Sequence, residues 1–222
     1  MTVPRPLPDS SAVGFVLAGG QSSRMGADKA LIEFAGEPLV ARALRILQQA
    51  GLEASIAGSR APLAQLAPVV DDSPPHTGLG PLSGVCAALT ASVAQHAVFL
   101  PVDTPLVPSS LIRYQLARAR LTNAPITLPS VNGYTQTFPA VIDRVVLPAL
   151  LASLESANRG CFAAFQAAAR ALDRPIAILP LELLVQSGQL SHSAGLPPSL
   201  WCLNVNTPRD LVRAEALDAV FR

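Results

Sequence analysis

The chain has 222 residues, of which 50% are hydrophobic and 14% charged, with a formal net charge of +1. That length suits one substantial α/β domain and is slightly short for two. The near-neutral balance lacks the basic excess of a nucleic-acid footprint, and the apolar residues fall in runs well below the roughly 18 that a membrane span requires, so neither nucleic acid nor membrane is an expected partner.

Pro4, Pro6 and Pro8 interrupt the start where a secretory signal would need an unbroken apolar stretch. Residues 1–12 therefore read as a disordered lead-in, 13–222 as a single domain, and the protein as cytoplasmic. Cys86, Cys161 and Cys202 are too widely separated for a disulfide framework or a paired zinc site, and they read as buried thiols. Val13–Leu17 is a short apolar run ending in glycines, as in a buried parallel strand feeding a phosphate-contacting turn. A helix follows, with Pro38 in its first turn, Leu39, Val40, Ala43, Leu44 and Leu47 on its apolar face, and Gly51 as its left-handed stop.

Further along, Ala54–Ala57 and Val69–Val70 read as strands, Gly84–Ser92 as a helix and Ala97–Leu100 as a central strand. Ser109 or Ser110 is placed to cap a helix reaching about Ala119; Ile126–Leu128 and Phe138–Ile142 read as strands, and here the sheet is expected to become mixed. Leu147–Leu154 and Phe162–Leu172 have helical spacing, Ile176–Leu179 and Leu200–Val205 look extended, and Thr207-Pro208 opens a terminal helix to about Val220. Ser187–Ser199, rich in Gly, Ser and Pro, reads as a surface loop able to move and to cover a site. The sum is an α/β fold: a Rossmann-like open sheet, mostly parallel and mixed toward the C-terminal half, with helices on both faces and ligands beyond the carboxyl ends of the strands.

The segment Leu17-Ala18-Gly19-Gly20-Gln21-Ser22-Ser23-Arg24-Met25-Gly26-Ala27-Asp28-Lys29 carries the densest chemistry. Glycines let backbone N–H groups approach an anion, Ser22 and Ser23 can donate, and Arg24 and Lys29 add positive charge. Its spacing matches neither the dinucleotide fingerprint nor the Walker motif; the bland alternative is an ordinary glycine-rich turn before a solvated helix. Farther on, Asp71-Asp72 leaves a strand ahead of Gly80-Pro81-Leu82-Ser83-Gly84. Asp72 can bind a ribose, a base edge or a metal's water shell, or the pair can be an exposed turn. Asp103 ends the strand before Thr104-Pro105, where a hard-cation ligand belongs, although it could instead cap the next turn. Asn204 and Asn206 would point the same way on a strand, and capping by Asn206 or Thr207 accounts for one polar residue but not both.

Together these motifs resemble, in family order and over nearly the whole chain, the molybdenum cofactor guanylyltransferases of the nucleotidyltransferase superfamily. The resemblance implies transfer of GMP from GTP to the terminal phosphate of molybdopterin, with Mg²⁺ on Asp103 and release of pyrophosphate. It lays the triphosphate along Gly19 and Gly20 with Ser22, seats the base on Leu17 and Ala18, and sets Arg24 and Lys29 against the phosphates. Asp72 falls near the nucleoside, Gly84 near the base, and Asn204 and Asn206 toward the acceptor or the catalytic pocket, with Asn206 orienting. Contacts with proteins that carry molybdopterin or receive the finished cofactor are implied as well. Gly19 favours the guanylyl branch over cytidylyl relatives, which tend to read Leu-Ala-Ala-Gly. Three stretches depart from the family pattern: Ala57–Arg60, Tyr134–Pro139 and the run Asn158-Arg159-Gly160, where relatives carry an arginine used with the pterin. A cytidylyl- or sugar-phosphate nucleotidyltransferase, or a nucleotide-binding regulatory module without turnover, are the competing readings.

Overall fold

The fold is that of a computed structural model describing residues 11–18, 28–58, 61–72, 77–156 and 160–220. Strand β1 (Ala12–Leu17) leads through a one-turn 3₁₀ segment (Lys29–Leu31) and a small hairpin, β2 (Glu33–Phe34) and β3 (Glu37–Pro38), into helix α1 (Leu39–Gln49). Next come β4 (Glu53–Ala57), β5 (Val69–Val70), α2 (Pro81–Ala91), β6 (His96–Pro101) and α3 (Ser109–Thr122). The second half runs β7 (Ile126–Val131), β8 (Tyr134–Thr135), β9 (Ala140–Asp143), α4 (Leu147–Glu155), α5 (Cys161–Ala171), β10 (Ala177–Pro180), α6 (Leu181–Gln186) and α7 (Pro208–Val220).

The main sheet has the order β10-β7-β9-β6-β1-β4-β5, with β8 paired to β7. Strand β1 lies parallel to both β4 and β6, and β10 is parallel to β7, whereas β9 runs antiparallel between β6 and β7. The sheet is thus mostly parallel and becomes mixed in the C-terminal half, as the sequence predicts. Alternation along the central strands divides the core in two. Val16, Val98 and Leu100 face a layer built from α1, α3, α6 and α7. Phe15, Leu17, Ala97 and Phe99 face α2, α4 and α5. Helices cover both faces.

Helix α1 shows how local sequence produces its element. It buries Leu39, Val40, Ala43, Leu44, Ile46 and Leu47, and it ends at Ala50 followed by Gly51 at φ +88°, the left-handed stop. Gly80, at φ +94°, performs the opposite task by turning the chain into α2 ahead of Pro81. Trp201 is fully buried, its indole N–H donating to the Leu196 carbonyl at 2.8 Å. Cys86 is buried, while Cys161 and Cys202 are partly so; burial pushes their thiols up to about 12, 11 and 12 respectively, which suppresses the thiolate that reactivity needs.

Three expectations require correction. Leu200–Val205 is not a strand: Pro198–Leu200 is a 3₁₀ turn, Trp201 and Cys202 continue the turn, and 203–206 is irregular. Neither serine caps α3; the cap position is Pro108, with no side-chain bond. Ser110 Oγ instead donates to the Ser191 carbonyl at 2.7 Å, and Ser109 Oγ accepts from Arg113 at 3.2 Å. The 187–199 segment is anchored where the sequence suggested a mobile cover, since Leu190 and Leu196 are buried and His192 Nε2 lies 3.2 Å from the Leu106 carbonyl. Among the described residues no helix is long and apolar enough to cross a membrane.

Candidate functional site

The parallel strands β1, β4 and β6 end side by side, with Leu17 opposite both Ala57 and Pro101. Backbone bonds carry the pairing one step past the strand ends: Ala18 N–H donates to the Ala57 carbonyl at 3.1 Å and Val102 N–H to the Leu17 carbonyl at 3.2 Å. The chain leaving β6 then turns at Val102-Asp103, setting the Asp103 carboxylate at the carboxyl edge of the sheet, where open α/β sheets gather ligand groups.

Lys29 arrives from the other side. Asp28 caps its 3₁₀ turn, Oδ1 accepting from Ala30 N–H at 3.1 Å. The ammonium donates to Asp103 Oδ2 at 2.9 Å and to Asn206 Oδ1 at 2.6 Å. The Lys29 and Asp103 side chains are 17% and 23% exposed, shielded enough to strengthen the pair yet open to an incoming anion. Asp103 does not act as the turn cap that the bland reading allowed: its carboxylate takes the Lys29 ammonium.

Asn206 is held by a second layer of bonds. Val205 N–H donates to the Asp103 backbone carbonyl at 2.8 Å, tying the two segments together. Asp210 Oδ2 accepts from the N–H groups of Asn206 and Thr207 at 3.1 and 2.8 Å and from the Thr207 hydroxyl at 2.8 Å, while Asp210 N–H returns a bond to Thr207 Oγ1. This reciprocal capping box opens α7, and the Thr207 hydroxyl, followed by the Asn206 amide, holds the Asp210 carboxyl below its ordinary value. Thr207 therefore does the capping, which leaves the Asn206 side chain available to Lys29. Asn204 is exposed in the irregular segment and, among the described residues, joins neither Lys29 nor Asp103.

A second cluster forms beside β4. Asp72 Oδ2 accepts from Gly78 N–H at 3.1 Å and shares the single Ser83 hydroxyl proton, 3.0 Å away, with the Gly80 carbonyl at 2.7 Å. Asp72 Oδ1 is buried without a partner among the described residues, a costly condition for a carboxylate oxygen and one that a ligand N–H or O–H would relieve. Gly84 packs here too: a Cβ on it would sit 3.8 Å from both Asp72 Oδ1 and Leu17 Cδ2. The structure thus brings Leu17, Asp72 and Gly84 together. Sequence reasoning missed Ser83 and Asp210. Ser83 lay inside a quoted motif, and Asp210 had the spacing of a capping box after Thr207.

Gly19, Gly20, Ser22, Arg24 and Arg159 lie outside the described residues. Among the described residues no group of three or more His, Cys, Asp or Glu is gathered for a metal.

A family model described as a MobA-like NTP transferase domain matches residues 14–175. The chain is 36% identical to the molybdenum cofactor guanylyltransferase of Cereibacter sphaeroides over 92% of its own length and 95% of that protein. A 40% match to the molybdenum cofactor guanylyltransferase of Xanthomonas euvesicatoria spans 53% of this chain and 57% of that one. Among solved structures, the molybdopterin-guanine dinucleotide biosynthesis protein A of Archaeoglobus fulgidus superposes with a TM-score of 0.74, covering 93% of this chain and 98% of that one. At 19% identity, that likeness speaks for the fold alone.

Proposed function

We propose that this chain, which belongs to the MobA-like NTP transferase family, transfers GMP from GTP to the terminal phosphate of molybdopterin and releases pyrophosphate. The observation that carries the reading is the convergence of Lys29, Asp103 and Asn206 from three distant parts of the chain onto one edge of the sheet.

A phosphate monoester has a second pKa of about 6, so near neutral pH the acceptor is already a dianionic nucleophile and needs no side-chain base. The demands are alignment of two mutually repelling anions and compensation of charge on the leaving group. Magnesium fits the donor set, because Asp103 supplies a hard carboxylate with the Asn206 amide oxygen nearby, and the ion takes one or two protein carboxylates alongside phosphate oxygens and water. When bound, it supplies Lewis-acid neutralisation of the reacting phosphates.

Lys29 is held between two oxygens on a flexible stem, and its ammonium has three donors. It can exchange Asp103 Oδ2 for a phosphate oxygen, which frees the carboxylate as charge arrives. Asn206, fixed through Asp210 and Val205, orients Lys29 during that exchange. Asp72 Oδ1 accepts from the nucleoside, with Leu17 and Gly84 forming the wall beside it. Gly19, Gly20, Ser22 and Arg24 complete the polyphosphate cradle on the strength of the motif, and Ala18 helps Leu17 seat the nucleobase; Asn204 faces the acceptor on the same grounds.

Pyrophosphate release, assayed with GTP or CTP in the presence of molybdopterin and Mg²⁺, tests the reading. GTP-dependent release is expected. Release supported by CTP in preference to GTP would transfer the chain to the cytidylyl branch, and silence with both nucleotides would make it a binding module.

A further inference from the structure

The segment that follows Asp103 also walls a second cleft, of about 230 Å³, whose lining shares no residue with the site above. Helix α1 contributes Arg42 and Arg45, α3 contributes Arg113, and the lining contains no Asp or Glu. The three guanidiniums differ in how fully they are occupied. Arg42 donates from each of its three nitrogens, to Asp218 Oδ1 at 2.7 Å, to Glu37 Oε1 at 3.3 Å and to the Pro105 carbonyl at 2.7 Å. Arg45 shares the Glu37 carboxylate, with Nε 3.2 Å from Oε2, and its side chain is 44% exposed. Among the described residues Arg113 meets only neutral acceptors, the Gln49 carbonyl at 3.0 Å and Ser109 Oγ at 3.2 Å, and both bonds leave from Nη1.

Among the described residues, two carboxylates, Glu37 and Asp218, therefore serve three arginines, and Arg113 faces the cleft without a carboxylate bonded to it. Arg113 keeps Nε and Nη2 unused among the described residues, so one edge of its planar fork is open. The cleft also receives the start of α3, a helix of 14 residues whose cap position, Pro108, offers no side-chain bond. Its first N–H groups add partial positive charge to the same space.

We infer that this cleft binds an oxyanion of the phosphate class at a site separate from the nucleotide site. A tetrahedral dianion fits the donors better than a single carboxylate does. The guanidinium fork takes two of its oxygens side by side, and the remaining oxygens face the helix start and the second, partly exposed arginine. His192 is part of the same lining.

Calorimetric titration at constant ionic strength provides the test, with inorganic phosphate in one arm and glycerol phosphate in the other, to separate the free ion from a phosphate ester. The proteins compared are wild type, Arg113→Ala, Arg113→Lys, the double variant Arg45→Ala/Arg113→Ala, and Lys29→Ala. Saturable binding is expected in at least one arm. It should persist in Lys29→Ala, weaken about tenfold or more in Arg113→Ala, as for loss of a charge-assisted hydrogen bond, and vanish in the double variant. Arg113→Lys, which keeps the charge and loses the fork, should fall between wild type and Arg113→Ala. Wild-type affinity in Arg113→Ala, complete loss of binding in Lys29→Ala, or no saturable binding by wild type in either arm would overturn the assignment.

Discussion

Asp103 and Pro105 are two residues apart, yet the cations that hold them live under different conditions. Lys29 reaches Asp103 through a single bond to one carboxylate oxygen, in a pair whose side chains are 17% and 23% exposed. Arg42 grips the Pro105 carbonyl and the Asp218 carboxylate in a pair whose side chains are 11% and 8% exposed, and its guanidinium stacks 4.6 Å from the Phe34 ring centre. The more buried cluster gives each nitrogen of the guanidinium an acceptor and ties down the loop at Pro105. The open one keeps acceptors and donors that a substrate can claim. Burial and saturation, more than residue type, separate a structural ion pair from one placed for exchange.

The sharpest way to break that contrast is Asp103→Ala. Turnover should fall below detection while the thermal midpoint stays within a few degrees of wild type; magnesium-dependent activity retained in this variant would remove Asp103 from the reaction. Arg42→Ala should do the reverse, costing about 3 to 5 kcal/mol of stability because it removes the guanidinium that pairs with the buried Asp218 carboxylate. Chemical denaturation measures this, and a loss below about 1 kcal/mol would show the two clusters to be alike. Lys29→Ala should raise the barrier by about 2 to 4 kcal/mol, a fall of roughly 30- to 1,000-fold in kcat/KM, the range for removing one strong electrostatic stabiliser. An unchanged rate would reduce Lys29 to a structural partner of Asp103.

Smaller effects refine the picture. Asp72→Asn should raise the KM for GTP about tenfold with kcat nearly constant, as expected when a charge-assisted acceptor for the nucleoside is lost; an equal fall in kcat would move Asp72 from binding into the chemistry. The least change concerns His192. Burial, aided by the charge of Arg42 and opposed by the Leu106 carbonyl, holds its imidazole below the ordinary value of 6.5. The unfolded chain then takes up a proton more readily than the folded one. The contribution of His192 is complete above about pH 6.5 and declines as the pH falls through that value toward the lower folded pKa. His192→Gln should flatten this acid limb in thermal melts taken between about pH 5 and 8; an identical slope would exclude the histidine as its source.

Much of the fold was legible because its signals are local. The apolar run of β1, the α1 stripe ending at Gly51 and the strand delivering Asp103 depend on periodicity and on backbone freedom within a few residues. The motif order carried the candidate site further than any single residue could: it assigned Leu17, Asp72 and Gly84 one by one to the base or nucleoside, and their contact with one another came from the fold. Local signals failed at the two serines before α3 and at Leu200–Val205. Ser109 and Ser110 had the chemistry of caps, but Arg113 and the Ser191 carbonyl claimed their hydroxyls. The apolar 200–205 segment looked like a strand, yet Trp201 was drawn into the core and Val205 made one bond to the Asp103 carbonyl in place of a ladder.

By itself, then, the sequence determined the sheet's central strands, the helices that cover them and the polar groups placed at the strand ends, since each follows from contacts a few residues apart. Tertiary structure alone decided which of those groups meet. Lys29 and Asn206 stand 177 positions apart in the chain, and Arg42 and Asp218 stand 176 apart. Packing of α1 and α7 on the same face of the sheet closes those distances, and the burial that results makes one pair a fixture and leaves the other open to exchange.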